Sequence, residues 1–130
     1  MALSPKTIYI KREIIGAILI DAKNAYPRES ILLLKGKVRK ESILVDDSIL
    51  PFLPTRGRGF STFPLYMLPL DLTVVGTAHS HPSGNPNPSV ADLNNFYGRI
   101  MVIAAYPYDS DRDLAVYDGN GRVRFEIIED

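Results

Sequence analysis

The chain has no cysteine. Disulfides, thiolate metal sites and cysteine nucleophiles are therefore excluded, and a metal here must be held by imidazole and carboxylate. A chain without disulfides fits a reducing compartment. Net charge is also missing: 15 basic side chains balance 15 acidic ones, for a formal charge of zero. Such a balance gives no electrostatic footprint for nucleic acid or an anionic membrane. Long apolar runs are absent, since stretches such as Ile14 to Ile20 fall well short of the ~18 residues of a membrane span. The opening MALSPKTIYIK lacks the apolar core and small-residue cleavage site of a secretory signal. The expectation is a cytoplasmic protein that binds neither nucleic acid nor membrane.

At 130 residues, 45% hydrophobic and 23% charged, the composition is that of one globular domain, residues 1–130, with a single core. The stretch KREIIGAILIDAKNA repeats Ile14, Ile15, Ile18 and Ala22 at helical spacing and predicts an amphipathic helix ending before Pro27. ESILLLKG reads as a buried strand closed by Gly36, and KVRKESILVDD as the turn and second strand of a hairpin. LPFLPTRGRGFSTF reads as an exposed connection entering a short strand near Phe60 to Phe63, and LYMLPLD as a helical turn or irregular crossover. LTVVGTAHSH, β-branched and apolar, is the clearest strand. SVADLNNFYGR carries Leu93, Phe96 and Tyr97 at helical spacing with Gly98 as a stop, and IMVIAAY follows as a buried strand. LAVYDGNGRVRFEII reads as a hairpin whose turn, Gly119 to Gly121, needs positive φ. The fold class expected is α/β, a mixed sheet with few helices.

Histidine is scarce, and its placement carries the chemistry. Both histidines fall in HSHPSGNPNPSVAD, one residue apart. On a strand, residues i and i+2 face the same side, so His79 and His81 project together while Ser80 faces away. Pro82 and the Ser83-Gly84 pair end the strand, and a loop stiffened by Pro86 and Pro88 leads to a helix start at Ser89. Asp92, in that first turn, can supply a third ligand. Two imidazoles, one carboxylate and an open fourth position suit a catalytic zinc. Each feature also has a plain alternative: a solvated histidine pair, and an ordinary Ser89/Asp92 capping box.

Zinc brings the pKa of water to about 7, and hydrolysis then needs a base to move protons. Glu29 is the candidate, because it opens an apolar strand; the alternative is a solvated strand-start carboxylate. DSDRD lacks the glycine and glutamate of a calcium loop, since Leu114 and Asn120 stand at those positions. One RGRG copy in a neutral chain does not argue for RNA.

His79-x-His81, seven residues, Ser89, two residues and Asp92 match the H-x-H-x7-S-x2-D signature of the JAMM (MPN+) metalloproteases at every position. YPRESILLLKG resembles the segment that bears that family's glutamate, and FPLYMLPLDLTVVGTAHSHPSG resembles small archaeal members of stand-alone type. The likeness spans nearly the whole chain. It implies an α/β fold with a mixed sheet flanked by helices, related to the zinc deaminase fold. By position it implies one Zn2+ per chain on His79, His81 and Asp92, Glu29 as general acid/base, and Ser89 as donor to the developing oxyanion. The implied activity is cleavage of isopeptide bonds between the C-terminus of a ubiquitin-like modifier, of the small sulfur-carrier kind, and lysine. Two alternatives stay open: a processing peptidase trimming sulfur-carrier C-termini, and a non-catalytic scaffold that binds ubiquitin-like proteins. A zinc nucleoside deaminase is excluded, because those enzymes use cysteine ligands.

Overall fold

The computed structural model describes residues 6–50, 73–94 and 96–129. The strand expected at Phe60 to Phe63, the RGRG stretch and LYMLPLD lie outside them. In chain order the elements are β1 (Thr7–Lys11), α1 (Arg12–Ala25), β2 (Ile31–Val38), β3 (Ser42–Ile49), β4 (Val74–His81), α2 (Val90–Asn94), β5 (Ile100–Ala105), β6 (Leu114–Asp118), β7 (Gly121–Val123) and β8 (Phe125–Ile128). The eight strands form one sheet in the order β7-β6-β5-β4-β2-β3-β1-β8. The β1/β3, β1/β8 and β4/β5 pairs are parallel and the others antiparallel, so the sheet is mixed as expected.

Helix α1 forms where the apolar period requires. Ile14, Ile15, Ile18 and Ala22 are buried, Glu13 sits in the first turn and Lys23 in the last, favourable for the helix dipole. The helix ends two residues before Pro27. Its buried stripe packs on one face of the sheet, against Ile8 and Ile10 of β1, Leu32 and Leu34 of β2, Ala78 of β4, Val102 and Ala104 of β5, and Leu114 and Val116 of β6. The opposite face carries a smaller cluster of Met101, Ile103, Ala115 and Tyr117, with Phe96 against it. Strands β4 and β5 are buried on both faces, which is why β5 is apolar without alternation, while β4 carries its buried polar residues toward the strand end.

The structure differs from the sequence expectations at four places. TIYIK, to which no element was assigned, is β1, its Ile8 and Ile10 buried by period-two alternation. Gly36 does not close β2. The strand runs on to Val38, and Gly36 follows a bulge where a Cβ would sit 1.8 Å from the Leu44 carbonyl oxygen. The helix expected from SVADLNNFYGR is only Val90–Asn94, and Leu93 is exposed. The final hairpin divides: β7 pairs with β6, whereas β8 crosses to pair with β1 at the far end of the sheet. Only Arg124 separates β7 from β8, so the sheet curls until its two ends approach each other. In the β6–β7 turn only Gly121 has positive φ, at 131°.

Candidate metal centre

Strand parity decides which side the histidines face. Across β4 and β5, Ala78 pairs with Val102 and Ser80 with Ala104, residues of the α1 face. His79 pairs with Ile103, so both histidines point to the opposite face, beside the smaller cluster. Ser80 faces the α1 side, as the alternation predicts. The proline loop then crosses the histidine face, where the Tyr117 hydroxyl donates to the Pro86 carbonyl at 2.6 Å. Helix α2 starts there with a reciprocal capping box: the Ser89 N–H donates to Asp92 Oδ2 at 2.8 Å, and the Asp92 N–H donates to Ser89 Oγ at 3.0 Å. The box turns the Asp92 carboxylate back toward β4.

His79 Nε2 lies 3.3 Å from Asp92 Oδ1, and His81 Nε2 lies 3.0 Å from Asp92 Oδ2. One ligand atom from each of the three residues lies within 4.8 Å of the others. His79 and Asp92 are each 7% exposed. The His81 ring is oriented from behind, since Nδ1 donates to the Asn85 carbonyl at 2.7 Å. A carbonyl can only accept, so Nδ1 carries the hydrogen and Nε2 is the atom offered to the centre. Burial alone lowers the His81 pKa, but Asp92, the Asn85 carbonyl and the charge of Glu29 outweigh it and raise the pKa above the ordinary histidine value. Burial raises the Asp92 pKa in turn, and the two imidazoles with the Ser89 N–H overcome it, holding this carboxyl far below the usual range.

The donor set fits a cation. His79 Nε2 is buried and has no hydrogen-bond partner among the described residues, an arrangement costly for a polar atom unless a metal completes it. Two imidazole nitrogens and a carboxylate converging without thiolate fit one Zn2+ and leave coordination positions open.

Glu29 reaches the same centre through the β2–β4 register. Ile31 pairs with His79, and the Ser80 N–H donates to the Ser30 carbonyl, which continues the ladder one step. Glu29 precedes Ser30 beside this end of β4, half-buried and near enough that its charge raises the His81 pKa. Its charge acts on both His81 and the buried Tyr108. Ser89 is exposed, so its hydroxyl is reachable from solvent. The supporting groups Asn85, Tyr117 and Tyr108 were not anticipated. Tyr117 shares the histidine face, because it pairs with Met101, two positions from Ile103, the strand neighbour of His79.

A mixed sheet that presents two strand-end histidines and a helix-start aspartate defines a metalloprotease-like class of site. Residues 11–117 match the family of prokaryotic homologs of the JAB domain. The chain belongs to that family and has the JAMM/MPN fold. A "Probable metalloprotease" of Haloferax volcanii is 31% identical over 132 residues, covering 90% of this chain and 81% of that protein. A structure described as "JAMM: A Metalloprotease-like Zinc Site in the Proteasome and Signalosome" superposes with a TM-score of 0.66 at 33% identity, covering 95% of this chain and 100% of the other. A JAB1/MPN domain protein from Archaeoglobus fulgidus gives 0.65 at 30% identity, covering 98% and 100%. Among the described residues no helix is long and apolar enough to cross a membrane.

Proposed function

We propose that the protein is a zinc-dependent isopeptidase, which hydrolyses the bond between the C-terminus of a ubiquitin-like modifier and a lysine side chain in a reducing, cytoplasmic setting. What supports this reading is Glu29, whose segment bonds to β4 at Ser30 and whose charge acts on His81, beside the convergent His79, His81 and Asp92. A ligand cluster alone binds a metal. A carboxylate at its edge adds the proton-handling group that amide hydrolysis requires.

His79, His81 and Asp92 would hold the ion. A zinc ion bound there supplies Lewis-acid chemistry, polarising a carbonyl and bringing the pKa of water to about 7. Glu29 takes the proton of the attacking water and returns it to the departing lysine amine, so one group serves as base and then as acid. The Ser89 oxygen is occupied as acceptor of the Asp92 N–H, which leaves its O–H free to donate to the carbonyl oxygen as negative charge develops.

Incubation of the zinc-loaded protein with a lysine-linked ubiquitin-like conjugate tests the reading. Release of free modifier that a chelator abolishes and added zinc restores is the expected result. Intact conjugates under every metal condition would overturn it.

A further inference from the structure

Ser80 lies between the two histidines but on the other face of β4, where it is 0% exposed. Its neighbours there, Ala78 and Ala104, belong to the main apolar core. A hydroxyl in that setting must be hydrogen-bonded, and its partner is informative. Ser80 Oγ accepts the backbone N–H of Ser30 at 2.8 Å, while the Ser80 N–H donates to the Ser30 carbonyl at 3.2 Å. In a regular antiparallel pair, facing residues exchange two backbone bonds. Here a side-chain oxygen replaces one backbone carbonyl as acceptor. The regular part of β2 begins at Ile31, and the residue before it is tied to β4 through the Ser80 side chain.

What precedes Ser30 is Glu29. Beneath the junction lies Tyr108, 1% exposed, at a φ of 61° uncommon for a non-glycine residue. Burial raises the pKa of its hydroxyl against the nearby Ser80 side chain, which lowers it, and the charges of Tyr26, Glu29 and Tyr106 raise it further. Backbone strain of that kind tends to mark places where a fold fixes a functional segment.

We propose that Ser80 is a positioning residue: its hydroxyl fixes the Ser30 amide and so holds the neighbouring Glu29 where its charge meets His81. This rests on the isopeptidase reading of Glu29. Ser80 touches neither metal ligand atoms nor substrate. It acts through the backbone of the segment that carries the proton-transfer group.

The test compares Ser80→Ala and Ser80→Thr with the wild type as zinc-loaded proteins. Three quantities are measured: steady-state cleavage of a lysine-linked conjugate, zinc content, and hydrogen exchange at the Ser30 amide. Small displacements of a reacting group cost up to about a hundredfold in rate. Ser80→Ala is therefore expected to lower kcat by roughly tenfold to a hundredfold with KM nearly unchanged, to keep its zinc, and to exchange Ser30 faster. Ser80→Thr, which retains the hydroxyl, restores kcat and Ser30 protection. Unchanged Ser30 protection in Ser80→Ala, or unchanged kcat, overturns the proposal, as does loss of zinc in parallel with kcat. If the wild type cleaves no conjugate, the isopeptidase reading fails, and Ser30 exchange alone then decides whether Ser80 holds this segment.

Discussion

His79 Nε2 lies 3.3 Å from Asp92 Oδ1, buried and hydrogen-bonded to nothing among the described residues. A buried imidazole nitrogen facing a carboxylate oxygen is a pair of donors that one bound cation can satisfy together. An ion bound to the native state but not to the unfolded chain adds stability, about 2.7 kcal/mol when free metal is a hundred times its dissociation constant. Zinc is therefore expected to raise the melting temperature and a chelator to lower it. His79→Ala and Asp92→Asn should melt at the same temperature with or without zinc, a comparison that thermal denaturation makes directly.

Glu29 acts electrostatically on His81 and is not a ligand in the His79, His81 and Asp92 group. Glu29→Gln should therefore keep zinc content at the wild-type level and lower conjugate cleavage by roughly 10²–10⁴-fold, the range for loss of a general acid/base. Elemental analysis beside a cleavage assay checks both halves. A variant that lost zinc together with activity would place Glu29 among the ligands.

Ser89 has two duties that one substitution separates. Its oxygen caps Asp92, and loss of a cap costs about 1 kcal/mol. Its hydrogen is available to the carbonyl oxygen of a substrate, where one lost donor costs about 10²–10³ in kcat. Ser89→Ala should show a small fall in stability by denaturant unfolding and a large fall in kcat. Equal proportional losses would reduce Ser89 to a capping role.

The pH dependence of metal binding has a definite sign. Protons compete with zinc for His81, whose pKa in the metal-free site is raised above 6.5. Competition from this group is absent well above that raised pKa and grows as pH falls through it. The Asp92 carboxyl is held far below the usual range, so it stays ionised through this window and adds no competition there. Apparent zinc affinity is thus expected to begin falling at a higher pH than an ordinary histidine would give, by about tenfold per pH unit for each proton displaced. Zinc titrations between pH 8 and 5 measure this.

Much of the centre was legible from sequence because it depends on local rules. His79 and His81 share a face through strand alternation, and Asp92 follows Ser89 through the capping box, both short-range relations. Helix α1 was legible for the same reason, since its stripe is written within one stretch of chain. The pairing of β8 with β1 was not, because it joins residues 8–11 to residues 125–128 and no local pattern encodes that partnership. Nor were the Pro86–Tyr117 and Ser30–Ser80 bonds, which cross between elements. The length of α2 was overestimated because Leu93 and Phe96 keep helical spacing without both joining the core; Leu93 stays exposed while Phe96 packs against the smaller cluster. The role of the Glu29 segment follows from a register that sequence alone left open.

The central claim is that two imidazoles and one carboxylate grip a single zinc with room left for reacting oxygen. X-ray absorption at the zinc edge of the loaded protein measures that first shell most directly. The account predicts four light-atom neighbours, two of them imidazole nitrogens at about 2.0–2.1 Å. A shell of oxygens only, or an imidazole contribution unchanged in His79→Ala, would contradict it.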